Sequence, residues 1–191
     1  ERFAADLTAK AKGRNDPSVV AAVAAASGPM IDWLVASQGL ALRLVEGFTY
    51  PGHSRLRMHG PASQTGADLQ SMLLTAAARA GVDILTEASV EDLYADETGR
   101  IVAVAARRPD GAREVVGCGA VVLACNGFGG NADAVRRLIP EMAGAEYCGH
   151  PSNTGDAIVW GQSLGAATAD LGAYQGHGSV AVPHGLPLTW A

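Results

Sequence analysis

The sequence predicts an α/β fold, a parallel sheet with an antiparallel β-meander attached. Three observations carry that expectation. Ala120-Val121-Val122-Leu123-Ala124 is apolar on both faces and is followed by Cys125-Asn126-Gly127-Phe128-Gly129-Gly130-Asn131. A strand apolar on both faces belongs inside a sheet covered on both sides, and glycines after it allow a backbone to pass close to something large. Residues 89–116 hold short strand-like runs broken by Asp96-Glu97-Thr98-Gly99 and Pro109-Asp110-Gly111, the pattern of a meander. Helical spacing recurs on either side of both.

In chain order, Glu1 to Lys12 has helical composition and ends at Gly13. Asp16-Pro17 is a cap followed by proline at the first helical position. That helix is expected to stop at Ser27-Gly28-Pro29, and a second runs from Met30 to Gln38. Tyr50-Pro51-Gly52 is a turn, and His53 and His59 fall in a polar loop without an assigned chemical role. Pro61 to Gly66 leads into a helix from Ala67 to Ala80, with Thr65 as cap and Gly81 as stop. Strands are expected at 82–85, 89–94, 101–106 and 113–116. Asn131 caps a helix from Ala132 to Ile139. Asn153-Thr154-Gly155-Asp156 opens another from Ala157 to Leu164, and 166–171 reads as a strand.

Composition narrows the function classes. The chain has 191 residues, 48% of them hydrophobic and 17% charged, with 24 glycines. This length buries a substantial core. A net charge of −5 without a basic cluster argues against a nucleic-acid surface, and Arg107-Arg108 and Arg136-Arg137 read as solvated pairs. The longest uninterrupted apolar runs fall short of the roughly 20 residues that span a bilayer, so no membrane segment is expected. Cys118, Cys125 and Cys148 lack the spacing of a disulfide framework or zinc site and read as reduced, buried thiols of a cytoplasmic protein.

Several segments together carry a resemblance. VVLACNGFGGN is similar to the VVLATGGFGGN-type segment of the flavoproteins related to fumarate reductase and succinate dehydrogenase, a group that includes the 3-ketosteroid dehydrogenases. Thr154-Gly155-Asp156-Ala157 and Tyr174-Gln175-Gly176-His177 stand where that family has its T-G-D-G and Q-x-H-P segments. Pro61 to Gly66 resembles its H-x-x-T-G element, with Ser63-Gln64 as a departure.

The resemblance implies an FAD-binding domain of the two-dinucleotide-binding type, residues 1–176, with 177–191 opening a substrate-capping domain. It implies FAD contacts at Val90 (through its backbone, to the adenine), Ala124, Asn126, Gly127, Thr65 and Gly66, and at Asp156, whose carboxylate would accept from the ribityl hydroxyls. A carboxylate suits that task because hydroxyls donate and charge-assisted bonds are strong. It also implies a small-molecule substrate held by His177 and, twelve positions on, Thr189. Trp190 stands where the family has Glu, and Gly178 where it has Pro. Losing that Glu removes a polar partner and shifts the expected substrate from fumarate or succinate toward a bulkier or less charged one. The family's proton-delivering Arg would fall beyond Ala191, so no catalytic residue is expected within these residues.

No G-x-G-x-x-G precedes a first strand. The chain is therefore expected to be an internal piece of a longer FAD-dependent oxidoreductase acting on CH–CH groups, prone to self-association through an unpaired sheet edge. The alternatives are a 3-ketosteroid dehydrogenase-like enzyme and a non-catalytic α/β interaction domain.

Overall fold

The computed structural model describes residues 1–174, 176, 180–181 and 186–187. They fall into two units, Glu1–Leu85 and Thr86–Ala191.

In the first unit, α1 (Arg2–Lys10) and α2 (Pro17–Ala36) pack together, β1 (Arg43–Leu44) pairs antiparallel with β2 (His59–Gly60), and α3 (Gly66–Arg79) follows. Asp16 caps α2 as expected, its carboxylate accepting from the amides of Ser18 at 2.7 Å and Val19 at 3.3 Å. The break expected at Ser27-Gly28-Pro29 does not form, and α2 runs through Pro29 as one helix of 20 residues. Pro29 removes a single helical donor. The alanines before it have the highest intrinsic helix propensity.

Joining the two expected helices also revises the membrane expectation. By length and composition, α2 is long and apolar enough to cross a bilayer, with a mean hydropathy of 1.7. Core helices of soluble proteins and signal sequences share this length and composition.

A polar knot ties α1 to the loop after β1. Asp6 accepts from the Ser54 amide and hydroxyl, both at 2.9 Å, and from Arg57 at 2.6 Å. Arg57 lies over the Phe3 ring at 4.7 Å, and Phe3 meets His53 edge-on at 5.6 Å. The Ser54 backbone donor, helped by the Ser54 hydroxyl and Arg57, lowers the Asp6 pKa from 3.8 to about 2. A depressed folded-state pKa adds stability that is present above the unfolded value and lost as pH falls through the folded one. Unfolding midpoints in urea should therefore fall between pH 4 and 2, and Asp6→Asn should flatten that acid limb. An unchanged slope in the variant would show that this knot does not form in solution.

The second unit contains the expected meander, β3 (Ser89–Ala95), β4 (Ile101–Arg107) and β5 (Arg113–Gly117), antiparallel throughout in the order β3-β4-β5. Its buried residues Ala105 and Ala106 lie on the central strand. Then come α4 (Ala132–Leu138), a 3₁₀ turn (Pro140–Met142), α5 (Asp156–Ser163) and a short pair, β6 (Val180–Ala181) with β7 (Leu186–Pro187).

The parallel sheet is not present among the described residues, where every pairing is antiparallel. Residues 82–85, 120–124 and 166–171 are extended or irregular instead of strands. An apolar run becomes a strand only where a neighbour supplies its hydrogen bonds, and Val122 is 89% exposed. The cysteines are free, but Cys125 and Cys148 are exposed and Cys118 is half-buried, which corrects the expectation of buried thiols.

Candidate functional site

An open groove of about 1060 Å³ runs through the second unit. This is at the upper end of the roughly 300–1,000 Å³ common for ligand and cofactor sites. One wall is β3 and β4, through Val90, Leu93 and Val104, and another is the extended segment Val121 to Cys125. Arg107, Arg108, Glu87, His150, Ser152, Asp156 and Trp160 also line the groove. The lining mixes apolar residues with a few polar and charged groups, the composition common in ligand sites.

The turn after the extended segment is organised by local chemistry. Asn126 has φ 63°, the left-handed region that Asn tolerates better than most residues. Asn131 caps α4, its Oδ1 accepting from Ala134 N at 3.0 Å, as the sequence predicts. The glycines between them serve a purpose the sequence does not disclose. A Cβ on Gly129 would overlap the Tyr147 ring, and so would one on Gly149. A Cβ on Gly130 would sit 2.5 Å from the Pro151 carbonyl oxygen. The large object that the glycines admit therefore includes the chain's own loop 147–153. Tyr147 Oη accepts from Asn153 Nδ2 at 2.7 Å, and Gly130 N donates to the Asn153 carbonyl at 2.9 Å.

That loop delivers Asp156. Gly155 takes φ 91°, ψ 21° at the N-cap, and Asp156 is the first residue of α5. Its Oδ2 accepts from Thr154 Oγ1 at 2.9 Å. A carboxylate in the first turn also faces the positive end of the helix dipole. Nearby, His150 Nδ1 accepts from the Ser152 amide at 3.3 Å and lies 2.6 Å from Ser152 Oγ. A backbone N–H can only donate, so the proton of the neutral imidazole sits on Nε2.

Of the cofactor residues expected from sequence, Val90, Ala124 and Asp156 line one groove. Asn126 and Gly127 follow its wall without lining it, and a Cβ on Gly127 would meet open space. Thr65 and Gly66 belong to the first unit, where Thr65 Oγ1 caps α3 by accepting from Asp68 N at 3.3 Å. His177 and Thr189 lie outside the described residues. His53 and His59 also belong to the first unit and are not among the lining residues, and His59 Nδ1 lies 3.0 Å from the Arg57 carbonyl.

Sequence reasoning missed Arg107, Arg108, His150 and Trp160. The arginines, expected to be merely solvated, are anchored. Arg107 pairs with Glu91 at 2.6 Å, and Arg108 donates to the Thr86 carbonyl at 2.8 Å and pairs with Glu114 at 3.6 Å. Arg107 is the last residue of β4, just before the turn at Pro109-Asp110-Gly111. Among the described residues no cluster of three His, Cys, Asp or Glu could hold a metal.

The profile of the FAD binding domain family matches residues 1–188. The chain belongs to this FAD-binding family. A fumarate reductase (cytochrome) of Shewanella frigidimarina is 25% identical over 179 residues, 93% of this chain and 31% of the relative. An NADH:fumarate oxidoreductase of Klebsiella pneumoniae is 30% identical over 173 residues, 87% of this chain and 18% of the relative. A urocanate reductase of Eggerthella lenta is 25% identical over 90% of this chain and 28% of its own length. The chain thus spans about a third or less of each of these relatives. The open conformation of a flavocytochrome c3 fumarate reductase shares the fold, with a TM-score of 0.85 and 22% identity over 99% of this chain and 33% of the larger one. The family's cofactor is FAD, and the groove accommodates its requirements: apolar strand residues for a ring system, and an anchored carboxylate for hydroxyls.

Proposed function

We propose that the chain is the FAD-binding part of an oxidoreductase that exchanges hydride between flavin N5 and a C=C or CH–CH unit activated by a carboxylate or carbonyl. The observation that carries this reading is the convergence of Val90, Ala124 and Asp156 on one groove in a chain matched over 1–188 by the FAD-binding family. When bound, FAD supplies the two-electron chemistry. The chain's own residues hold and orient it. Asp156, its carboxylate fixed by Thr154, would accept from ribityl hydroxyls, and the Val90 backbone would contact the adenine.

His177 and Thr189 are assigned to the substrate, where a hydrogen bond from either would stabilise negative charge developing on a carboxylate or carbonyl. The relatives named for fumarate and urocanate favour an unsaturated carboxylate, and Trp190 in place of the family's Glu favours one bulkier or less charged than fumarate.

The test is spectroscopic. The purified full-length protein should show oxidised-flavin bands. After anaerobic reduction those bands should return on adding urocanate or a related unsaturated carboxylate. Bleaching of the oxidised bands by a 3-ketosteroid, with no return of the reduced enzyme's bands on any unsaturated carboxylate, would move the protein to the ketosteroid dehydrogenase alternative. Absence of flavin after FAD titration would overturn the cofactor roles and leave the interaction-domain reading.

A further inference from the structure

We infer that Asn131 is a positioning residue for the groove carboxylate Asp156, acting across two elements that are far apart in sequence. The inference rests on the proposed FAD reading of the groove. Asn131 is half-buried and uses both ends of its amide. Oδ1 accepts from Ala134 N at 3.0 Å, and Nδ2 donates to the Thr154 carbonyl at 3.2 Å. The orientation of the amide follows from its partners, since an amide N–H only donates and a carbonyl only accepts.

Capping α4 requires only the oxygen, a task that Asp or Ser performs as well. The Nδ2 bond is therefore surplus to capping, and it lands on the residue that holds Asp156. Thr154 Oγ1 has one proton to donate and two acceptors in reach, the Ser152 carbonyl at 3.3 Å and Asp156 Oδ2 at 2.9 Å. The shorter, charge-assisted bond takes it. Gly130 N bonding to the Asn153 carbonyl at 2.9 Å fixes the adjacent peptide from the same turn. The path from the α4 N-terminus through Asn131 and Thr154 to Asp156 therefore consists of directional bonds. Every member lies in the second unit. Asn131 does not line the groove, so its influence on a ligand is indirect.

The experiment is a double-mutant cycle in the full-length protein, read by FAD titration of the apoprotein. Asn131→Asp and Asn131→Ser both retain the cap oxygen and lose the Nδ2 donor, one with an added charge and one without. Each should raise the Kd for FAD by roughly fivefold, the scale of one lost hydrogen bond, while the apoprotein Tm falls by no more than the few degrees that one lost hydrogen bond costs. In an Asp156→Ala background neither should raise it further, because the residue they act through is gone.

Three results overturn the inference. If Asp156→Ala weakens FAD but the Asn131 variants do not, Asn131 is a cap only and the cofactor reading survives. If the Asn131 effect persists undiminished in the Asp156→Ala background, or comes with a fall in Tm larger than one hydrogen bond explains, it acts through general stability. If Asp156→Ala itself leaves FAD affinity unchanged, the assignment of Asp156 fails together with this one.

Discussion

Replacing Gly155 with alanine should lower the stability of the second unit by about 3 kcal/mol, from two additive causes. Gly155 sits at φ 91°, ψ 21°, where a Cβ costs about 1–2 kcal/mol against the following carbonyl. It is also buried, and a Cβ there would lie 2.8 Å from the Cβ of Phe128. Inserting a methyl into a packed site costs about 1–3 kcal/mol. Phe128 belongs to the turn that holds loop 147–153, so relief by moving it would disturb the Gly130 to Asn153 bond. The measurement is the urea midpoint, with an unchanged m-value as the sign that stability alone has moved. Gly144→Ala is the control, because its added Cβ would meet open space. Equal midpoints for the two variants would contradict the left-handed turn before α5.

Asp156→Ala should weaken FAD binding by roughly ten- to 150-fold, the equivalent of about 1.5–3 kcal/mol for a hydrogen bond to a charged group. The side chain is positioned for this in three ways. It lines the groove, it is held by Thr154, and it occupies the first turn of a helix whose dipole favours negative charge. Asp156→Asn should fall between wild type and Ala, since the amide oxygen still accepts but carries no charge. Isothermal titration of the apoprotein with FAD distinguishes the three proteins. Identical affinities would remove Asp156 from the cofactor's contacts and return it to the role of a first-turn helix residue.

Both predictions depend on features that differ in how far the sequence disclosed them. The caps at Asp16, Thr65 and Asn131 were legible because a cap is a local contract between a side chain and an amide two or three residues on. The meander was legible for the same reason: Asp96 and Asp110 each bond within their own turns. Asp156 could be singled out only through family resemblance, since its spacing alone fits a helix start.

What stayed hidden is non-local. Nothing in the run Ala120–Ala124 says which strand would pair with it, and nothing in Gly129 and Gly149 points to Tyr147 as the ring between them. Arg107 and Arg108 looked like ordinary surface charge because their anchors, Glu91, Thr86 and Glu114, are brought near by sheet pairing. The continuous α2 reflects a different limit. Pro29 is a strong local stop signal, and a long alanine-rich context outweighed it.

The charges on the meander have a consequence for how the chain meets copies of itself. Among the described residues β3 and β5 form the two sides of that sheet. Exposed strand sides invite a neighbour to add on as a further strand, and natural proteins discourage this with charged side chains there. Glu91 and Asp92 stand on β3, Arg113 and Glu114 on β5, and Arg113 bonds Asp92 at 2.6 Å across the strand between them. An incoming strand would have to strip water from these groups and compete with pairs already made. The meander is thereby protected against templated stacking.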